Sequence, residues 1–431
     1  MEAYQAAKAI AGPAQTIGSG KIDVDAIFAR RDALVDSWDD SKYIAADMGG
    51  SSATMIRGFG RIAGEKNVSV QPYGESERYD LQANIAVIVA TGSIHTTPSI
   101  PGIETLEEGK ELWINRDAVS SNKIPEHLII LGAGAVGSEM AAFYSAVGGK
   151  VTVISPSAEI LSKFEPEAGA IVRKNLESQG AVFKLGTSAA KITKRGPNAI
   201  DVELSTGEVV TGTVLLNATG RKPRTFDLGL ENIGLPGDGA PISTDSSFAS
   251  PDKKWLYAIG DVNGVAPTTH MGIYQSRIAS NAILASLQAA GSHSNLKISP
   301  HFTTVTSGQK DNTTFPQVIY TEPNIGSVGH TLSSARAAGL HVRVADSNFK
   351  FPGAMLYGDM DKQPGWARFV IEEGSEKLVG ATFVAVEGSE FVNAASVAIQ
   401  AGLTLGECVH VVPPFPSRGE IWTYLLNAAG Y

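Results

Sequence analysis

The chain has 431 residues, 43% of them hydrophobic and 18% charged, with a formal net charge of −9. This length predicts roughly three domains, and an acidic chain without a basic block argues against nucleic acid or an anionic membrane as a partner. Its one cysteine, Cys408, excludes an intrachain disulfide, a redox dithiol and a multi-cysteine zinc site.

The sequence carries no targeting or membrane signal that we recognise. The N-terminus, Met-Glu-Ala-Tyr-Gln, does not place a basic region before an apolar one, as a signal peptide would. No apolar run of about 18 residues is free of charge, so a spanning helix is not expected. We therefore expect a cytoplasmic protein that acts on a small-molecule substrate.

The first part of the chain predicts three elements. A helical stretch comes first, alternating strands with glycine turns follow, and an apolar run ends the part. They are a helix within residues 1–45 with Ile27, Leu34 and Trp38 on one face, a small antiparallel sheet over 54–82, and a buried strand at 85–90.

The middle of the chain predicts a βαβ unit followed by further strands. A strand at 128–131, a glycine turn, a helix through Tyr144 and a second strand at 151–154 form this unit. The later elements are strands near 181–185, 199–204, 214–218 and 255–259 and a helix over 272–288.

The last part of the chain predicts a separate α+β domain. Residues 289–315 are rich in Ser, Thr, His and Asn, which is typical of a linker. The elements predicted beyond it are strands at 317–320, 367–371 and 378–383 and helices at 387–401 and 420–429.

The turn after strand 128–131 carries a G-x-G-x-x-G fingerprint. Gly132 allows the tight turn, Gly134 leaves room for a pyrophosphate, and Gly137 lets the helix pack closely on the strand. Between a strand and a helix this pattern predicts a dinucleotide site, but a turn that has lost its ligand would keep the same sequence. The predicted binding residues are Gly132, Ala133, Gly134, Ala135, Val136 and Gly137.

The residue that would choose between NAD and NADP stands at the end of the second strand. It is Ser155, not the carboxylate that a free ribose 2′-hydroxyl needs, and Lys163 follows a few residues later. A serine and a lysine suit a 2′-phosphate, so the pattern leans slightly towards NADPH. A serine that only caps a helix in this loop is an equal alternative.

Several motifs occur in a fixed order along the chain. They are IVATGS (88–93), GAGAVGSE (132–139), ATGRKP (218–223), LGLENIGL (228–235), AIGDV (258–262), PQVIYTEP (316–323) and SVG (327–329). Together they resemble the pyridine nucleotide-disulfide oxidoreductase family, which includes dihydrolipoamide dehydrogenase, glutathione reductase and mercuric reductase. The resemblance runs from about residue 24 to the C-terminus.

The resemblance implies an α/β fold with two Rossmann-like dinucleotide-binding domains, the FAD one incomplete. It also implies a C-terminal α+β domain that forms a homodimer. The implied boundaries are 1–118 and 244–312 for the two FAD-type segments, 119–243 for the NAD(P)-binding domain and 313–431 for the interface domain.

The resemblance also implies residues that hold the cofactors. Asp261 would hold the flavin ribityl chain, and the helix start after it would lie beneath the flavin, where a helix N-terminus stabilises negative charge. The residues implied for FAD are Thr91, Gly92, Gly260, Asp261, Thr269, His270 and Met271, and those added for NAD(P) are Glu139 and Gly220.

Two departures from the family concern its N-terminal unit. The family opens with a strand, a glycine turn and a helix for the FAD pyrophosphate. The chain begins after that point, which counts against FAD as a bound cofactor. The same stretch would carry the redox cysteine pair and a lysine partner for Glu139, so we expect Glu139 to be unpaired or solvent-facing.

The third departure concerns the catalytic base. The position of the family's histidine is Phe415, although Glu420 is retained, and His410 is out of register. A phenylalanine cannot exchange a proton, and Cys408 is expected to be an inert buried thiol. Dithiol–disulfide exchange is therefore excluded, no catalytic residue is assigned, and the histidine spacing supports no metal site.

Three interpretations remain open. The chain is an oxidoreductase that passes hydride from NAD(P)H through FAD to a small acceptor such as a quinone, which needs neither dithiol nor base. Alternatively it is a flavin-less scaffold that binds nucleotide or serves a non-redox isomerase or cyclase step, or a structural protein that uses only its dimer domain. Bound flavin separates the first interpretation from the others.

Overall fold

The computed structural model describes residues 22–42, 44, 53–290, 305–308, 314–355 and 365–431. The α-helices of these ranges are α1 (Val24–Leu34), α2 (Asn115–Ser120), α3 (Ala135–Ala146), α4 (Pro166–Ser178), α5 (Thr269–Ala289), α6 (Leu332–Ala337), α7 (Pro352–Met355), α8 (Gly388–Ala401), α9 (Leu405–Cys408) and α10 (Ile421–Ala429). Short 3₁₀ turns lie at Asp36–Trp38, Ile103–Thr105, Leu230–Ile233, Gly260–Asn263 and Arg418–Glu420.

The strands fall into several sheets. In chain order they are β1 (Gly58–Gly64), β2 (Asn67–Pro72), β3 (Tyr79–Gln82), β4 (Val87–Val89), β5 (Ser93–His95), β6 (Leu112–Trp113), β7 (His127–Leu131), β8 (Lys150–Ser155), β9 (Val182–Leu185), β10 (Ala189–Gly196), β11 (Ala199–Leu204), β12 (Val209–Gly212), β13 (Val214–Asn217), β14 (Arg221–Pro223), β15 (Leu256–Ala258), β16 (Gln317–Ile319), β17 (Asn324–Gly329), β18 (Val342–Asn348), β19 (Trp366–Glu372) and β20 (Leu378–Ala385).

Helix α1 begins at an N-cap, Asp23, whose carboxylate accepts a hydrogen bond from a first-turn N–H at 2.9 Å. It lies within the stretch predicted to be helical, of which residues 1–21, 43 and 45 lie outside the described residues. The predicted apolar face is wrong, because Leu34 and Trp38 are 61% and 49% exposed. The residue that α1 buries is Phe28, which packs against an aromatic ring of α3.

The predicted small antiparallel sheet is present as β1, β2 and β3, paired in that order. It stands beside the 3₁₀ turn at Leu230–Ile233, where the Ile62 N–H donates to the Leu228 carbonyl at 2.7 Å.

The central sheet is parallel, with strand order β6-β13-β7-β8-β9. All five residues of β7 are buried, which explains why its sequence is an unbroken apolar run. Leu128 and Ile130 face a core that contains residues of α3 and α4, whereas Ile129 and Leu131 face the antiparallel sheet β10-β11-β12. The predicted βαβ unit is confirmed as β7-α3-β8.

The second parallel pair, β4 with β15, corrects the buried strand predicted at 85–90. The strand covers only Val87–Val89, and Ile85 and Ile88 are 38% and 43% exposed. Among the described residues β4 pairs with β15 alone, so its apolar side chains are covered less than those of β7. Strand β5, which follows β4 directly in the chain, pairs antiparallel with β14.

The C-terminal sheet is antiparallel, with strand order β16-β17-β20-β19-β18. Helices α8 and α10 pack against it through a large apolar cluster that includes Phe369, Phe383, Val392 and Leu425. The predicted fold class, two Rossmann-like parts and a C-terminal α+β domain, is confirmed. In the described part of the chain, no helix combines the length and the apolarity needed to cross a membrane.

The central and C-terminal sheets share one apolar core. Ile319, Ile325, Trp366 and Val384 of the C-terminal sheet belong to the same buried cluster as Leu128 and its neighbours on the central sheet. Neither sheet can therefore open along this face without exposing apolar surface of the other.

We expect Ile325→Ala to lower the free energy of unfolding by about 2–5 kcal/mol, because Ile325 is fully buried in the shared core. Amide hydrogen exchange should rise in both β7 and β20. The matched control is Ile371→Ala, equally buried but within the C-terminal cluster alone, which should raise exchange mainly in the C-terminal sheet. Unchanged exchange in β7 of Ile325→Ala would contradict the shared core.

Candidate functional site

Residues 132–137, here called the nucleotide turn, connect the carboxyl end of β7 to helix α3. Gly134 is the N-cap of α3, and no side chain caps the first N–H groups of the helix. Gly134 and Ala135 are exposed at this end. Free amides and the positive end of the helix dipole together attract an anion such as a pyrophosphate.

The three glycines of the nucleotide turn have different structural roles. At two of them a side chain would collide with backbone, and at the third it would enter open space. Gly132 has φ +104°, and a Cβ there would lie 2.4 Å from the Ala218 carbonyl oxygen. A Cβ on Gly137 would lie 1.9 Å from the Gly132 carbonyl oxygen. A Cβ on Gly134 would meet nothing within 4 Å, so this position opens onto free space in which a ligand can sit.

The loop after β8 carries the two residues predicted to choose the nucleotide. Ser155 is 5% exposed, and its hydroxyl accepts a hydrogen bond from the Ser157 N–H at 3.3 Å. This is the geometry of a turn-forming serine. It is not the helix cap that the sequence offered as an alternative, because the next helix, α4, begins at Pro166 with Glu165 as its N-cap. Lys163 is exposed further along the loop.

Glu139 is neither unpaired nor solvent-facing, so that expectation is wrong. Its carboxylate accepts a hydrogen bond from the Tyr320 N–H at 2.8 Å, and burial raises the pKa of the carboxyl. The partner lies on the C-terminal domain, about 180 residues away in sequence, where no local pattern points to it. Gly220, with φ +146°, follows β13 next to the nucleotide turn.

The second candidate site is a cleft of about 510 Å³ that opens at the carboxyl ends of β4 and β15. We call it the flavin-side cleft, after the cofactor that the sequence predicts there. Its lining residues are Ala90, Thr91, Gly92, Ser93, Arg221, Ile259, Gly260, Asp261, Thr268, Thr269, Gly272, Ile273 and Ser276.

Two turns line the flavin-side cleft, and each contains a glycine in the left-handed conformation that faces open space. Gly92 has φ +72° and Gly260 has φ +74°, and a Cβ on either would meet nothing within 4 Å. Helix α5 begins at Thr269 beside them, and its N-cap, Thr268, makes no side-chain cap. The cleft therefore combines exposed backbone with the positive end of a helix.

A hydrogen-bonded chain that the sequence did not reveal holds Asp261 in this cleft. The Ser93 hydroxyl donates to the Asp261 carboxylate at 2.5 Å and accepts from Arg221 Nε at 2.8 Å. The Arg221 Nη2 also donates to the Ser93 carbonyl at 2.7 Å. These residues come from β5, β14 and the turn after β15, so only the folded chain brings them together.

The nucleotide turn and the flavin-side cleft are neighbours. The Ala218 carbonyl lies against Gly132, while Arg221 lines the cleft. Ala218 and Arg221 are three residues apart, so their Cα atoms are separated by about 11 Å at most. Two ligands bound at these sites would lie within reach of each other.

The residues predicted at the start of α5 do not all face the cleft. Thr269 lines it. The His270 ring nitrogen Nε2 instead lies 2.9 Å from the Pro316 carbonyl oxygen and 3.1 Å from the Thr268 hydroxyl. Met271 is 2% exposed and belongs to the core. His270 thus ties α5 to the start of the C-terminal domain.

A buried amide side chain, that of Gln275, supports the Gly260 turn, and no sequence pattern pointed to it. The Gln275 Oε1 accepts from the Gly260 N–H at 2.7 Å and from Asn263 Nδ2 at 2.8 Å. Gln275 is fully buried, and its Nε2 has no hydrogen-bond partner among the described residues. The side chain therefore serves as an acceptor only.

Phe415, Glu420 and Cys408 are not among the residues that line the flavin-side cleft. Phe415 is 77% exposed, and the Glu420 carboxylate accepts from the Ser417 N–H at 3.0 Å as part of a helix cap. Cys408 is 1% exposed, and burial raises the pKa of its thiol. A buried thiol with a raised pKa is poorly reactive, as expected from the sequence.

The described residues fit two ligand types. The nucleotide turn offers a pyrophosphate uncapped amides beside an open glycine. The flavin-side cleft offers backbone, an anchored carboxylate and a helix N-terminus, which suit the ribityl chain and ring of a flavin.

We expect Gly134→Val to fold normally and to raise the Kd for NADPH and NADH by about 100-fold or more. The valine side chain would fill the open space and cover the helix amides. The measurement is a fluorescence titration of reduced nucleotide against the folded variant.

The matched control is Gly137→Ala, which should lower stability by about 3 kcal/mol or more because its Cβ would collide with backbone. If Gly134→Val binds the nucleotides with wild-type affinity, the nucleotide turn is not their binding site.

We expect Gln275→Leu to lower the free energy of unfolding by about 1–3 kcal/mol, since the Gly260 N–H and the Asn263 amide would lose their acceptor. The matched control is Met271→Leu, a volume-conserving change at a buried position of the same helix that leaves both hydrogen bonds intact and should cost less than about 1.5 kcal/mol. Thermal and urea unfolding of both variants gives the comparison. Equal losses would show that the two hydrogen bonds do not matter.

Two family models match the chain. One, described as pyridine nucleotide-disulphide oxidoreductase, matches residues 23–283, and the other, the dimerisation domain of that family, matches residues 315–425. The first covers more than half of the chain and reaches into both of the predicted FAD-type segments.

The chain is similar to several curated proteins. It is 27% identical over 406 residues to the dihydrolipoyl dehydrogenase of Thermus scotoductus, covering 93% of this chain and 80% of that one. It is 30% identical over 340 residues to the dihydrolipoyl dehydrogenase of Rhizobium etli, covering 78% and 65%. With leghemoglobin reductase of Glycine max it shares 26% identity over 374 residues, covering 86% and 66%.

Solved structures show the same fold. The HOCl-induced flavoprotein disulfide reductase RclA from Escherichia coli superposes with a TM-score of 0.77 at 21% identity, covering 93% of this chain and 85% of that one. LpdA from Mycobacterium tuberculosis superposes with a TM-score of 0.76 at 23% identity, covering 95% and 84%.

These matches answer the objection to FAD that the sequence raised. Members of the family use FAD and NAD(P)H, and the matched range includes the residues of both turns of the flavin-side cleft, so the objection is not borne out. The relatives are oxidoreductases in general. The chain belongs to the pyridine nucleotide-disulphide oxidoreductase family.

Proposed function

We propose that this chain is an FAD-containing oxidoreductase that passes hydride from NAD(P)H to a small organic acceptor such as a quinone. The observation that carries the proposal is the adjacency of the two sites. The nucleotide turn touches Ala218, and the flavin-side cleft begins at Arg221, on the same short stretch of backbone. A donor and a relay bound there would meet without a large movement.

The nucleotide turn would hold the pyrophosphate of NAD(P)H through the N-terminal amides of α3. Gly220 and the loop after β8 border the same end of the sheet, so the ribose would lie near Ser155 and Lys163. We keep the slight preference for NADPH as part of the proposal, because neither residue is a carboxylate.

The flavin-side cleft would hold the flavin and ribityl part of FAD. When bound, the flavin supplies a two-electron relay between nucleotide and acceptor. Asp261, oriented by Ser93, would accept hydrogen bonds from the ribityl hydroxyls. Gly92 and Gly260 leave the backbone open, and Thr91 lines the cleft beside them. The N-terminus of α5 at Thr269 favours negative charge near the ring.

The acceptor is the part of the proposal in which this chain differs from the relatives named dihydrolipoyl dehydrogenase. The 431 residues contain one cysteine, Cys408, which is buried in the C-terminal cluster. Phe415, at the position of the family's catalytic histidine, is exposed, and its ring has no group that can accept or donate a proton. An acceptor reduced directly by the flavin needs neither group.

The remaining features of the proposal follow from the family. We propose a homodimer formed through residues 313–431, FAD-type segments at 1–118 and 244–312, and a nucleotide domain at 119–243. A cytoplasmic location agrees with the single buried cysteine.

The test is the visible absorption spectrum of the purified chain, before and after addition of FAD, followed by anaerobic NADH or NADPH. We expect a flavin band that nucleotide bleaches and that a quinone restores, whereas lipoamide should not restore it. Cys408→Ser should behave as the wild type, because the buried thiol takes no part.

A colourless protein that stays colourless after FAD and gel filtration would overturn the redox proposal. It would favour the flavin-less scaffold, whose nucleotide affinity can then be measured. Reoxidation by lipoamide at the rate found with the quinone would overturn the assignment of the acceptor.

A further inference from the structure

Arg368, on β19, is a buried arginine between the C-terminal sheet and the central sheet, and it is only 5% exposed. Its Nε and Nη2 donate to the two carboxylate oxygens of Asp346, its cross-strand neighbour, both at 2.7 Å. Its Nη1 donates to Glu165 at 3.1 Å and its Nη2 to Glu167 at 2.8 Å. The last two carboxylates lie at the start of α4, beside the central sheet.

Of the three carboxylates, Glu165 depends most on Arg368. It is 1% exposed, whereas the side chains of Glu167 and Asp346 are 46% and 40% exposed. Glu165 is the N-cap of α4 but makes no side-chain bond to its own helix. Its second oxygen accepts from the Leu332 N–H of the C-terminal domain at 2.7 Å, so both oxygens bind the other domain.

The guanidinium of Arg368 keeps its positive charge in this buried setting. Burial works against the charge of Arg368, but its hydrogen bonds to Asp346 and Glu167 outweigh this and raise its pKa. A carboxylate as buried as Glu165 is tolerated only when it is paired and hydrogen-bonded. The contact between the domains is therefore specific in geometry and not only apolar.

Glu165 also ends the loop that borders the nucleotide turn. Within this β8–α4 loop, residues 156–164, the Leu161 N–H donates to the Ala133 carbonyl at 2.8 Å. Leu161 has φ +52°, a strained conformation for a branched residue that the surrounding contacts must maintain. Lys163 stands midway between these two anchors, one on the nucleotide turn and one on the C-terminal domain.

We propose that Glu165 and Arg368 are positioning residues for NAD(P)H, a role that rests on the function proposed above. By holding the carboxyl end of the β8–α4 loop on the C-terminal domain, they keep Lys163 and the nucleotide turn in place. The domain predicted to form the dimer thereby sets the nucleotide affinity of the central domain. Neither residue touches the nucleotide or the reacting atoms.

Four variants of the full chain test this proposal. Arg368→Met removes the cation, and the double variant Glu165→Gln with Arg368→Met removes both charges while keeping an acceptor for the Leu332 N–H. Arg368→Lys keeps the charge. The matched control is Arg343→Met, which breaks the contacts of Arg343 with Glu376 and the Ala429 carbonyl inside the C-terminal domain.

Two readouts separate positioning from a general loss of stability. In Arg368→Met and in the double variant, we expect the Kd for NADPH to rise by roughly tenfold and the amides of residues 156–164 to exchange faster. Bound flavin should be unchanged, Arg368→Lys should recover part of the affinity, and Arg343→Met should leave both readouts as in the wild type. If Arg368→Met does not fold, the double variant carries the test.

If the amides of residues 156–164 exchange at the wild-type rate in the double variant, the proposal is overturned, whatever the nucleotide titration gives. Faster exchange with unchanged Kd would also overturn it, because the pair would then be structural only. Failure of the proposed function is seen in a different measurement: the wild-type chain itself would then bind neither NADPH nor NADH. That result would also exclude a role of the pair in nucleotide binding.

Discussion

The close approach of Ala218 to Gly132 is the constraint on which both sites depend. The carbonyl at the end of β13 occupies the place where a side chain on Gly132 would stand, and the Gly132 carbonyl does the same to Gly137. These two contacts pull the start of α3 onto the sheet and aim its free amides past the strand ends. The same β13 backbone continues into β14, which pairs with β5 and brings Arg221 to the flavin-side cleft. One stretch of close-packed backbone therefore fixes the distance between the two candidate sites.

Electrostatics at the two sites come mostly from backbone. Helices α3 and α5 both begin at strand ends without a side-chain cap, so each presents its positive end to a ligand. The one carboxylate that lines the flavin-side cleft, Asp261, is held by the Ser93 hydroxyl, which Arg221 holds in turn. Such a chain orients a charge before the ligand arrives, which lowers the cost of ordering it on binding.

Local sequence patterns predicted most of the fold and the two glycine turns. The contacts that they did not predict join residues far apart in the sequence. The apolar run of β7 and the glycines after it need only a few neighbouring residues to be recognised, so the βαβ unit was predicted correctly. Strands β17 and β18 were missed because glycine, serine and charged residues interrupt their apolar pattern. The bonds Glu139–Tyr320, Ser93–Asp261 and Glu165–Arg368 join residues more than 160 positions apart. No spacing rule reaches that far, and the roles of the cofactor residues and the domain boundaries remain predictions.

The contacts between the domains are distributed so that the nucleotide domain has little freedom to move. On its helical side, α3 binds the C-terminal domain through Glu139, and α4 binds it through Glu165 and through the Asn175 amide on the Glu322 carbonyl. At its strand ends, the Asn217 and Thr219 side chains donate to the Thr96 carbonyl beside the flavin-side cleft. A domain anchored on two sides cannot swing as a hinge without breaking these hydrogen bonds. Under the proposed function, hydride transfer between the two sites would depend on such rigidity, because a displacement of about 1 Å between donor and acceptor lowers the rate steeply. The anchoring thus favours a protein whose nucleotide and flavin positions are set by folding rather than by closure on the ligand.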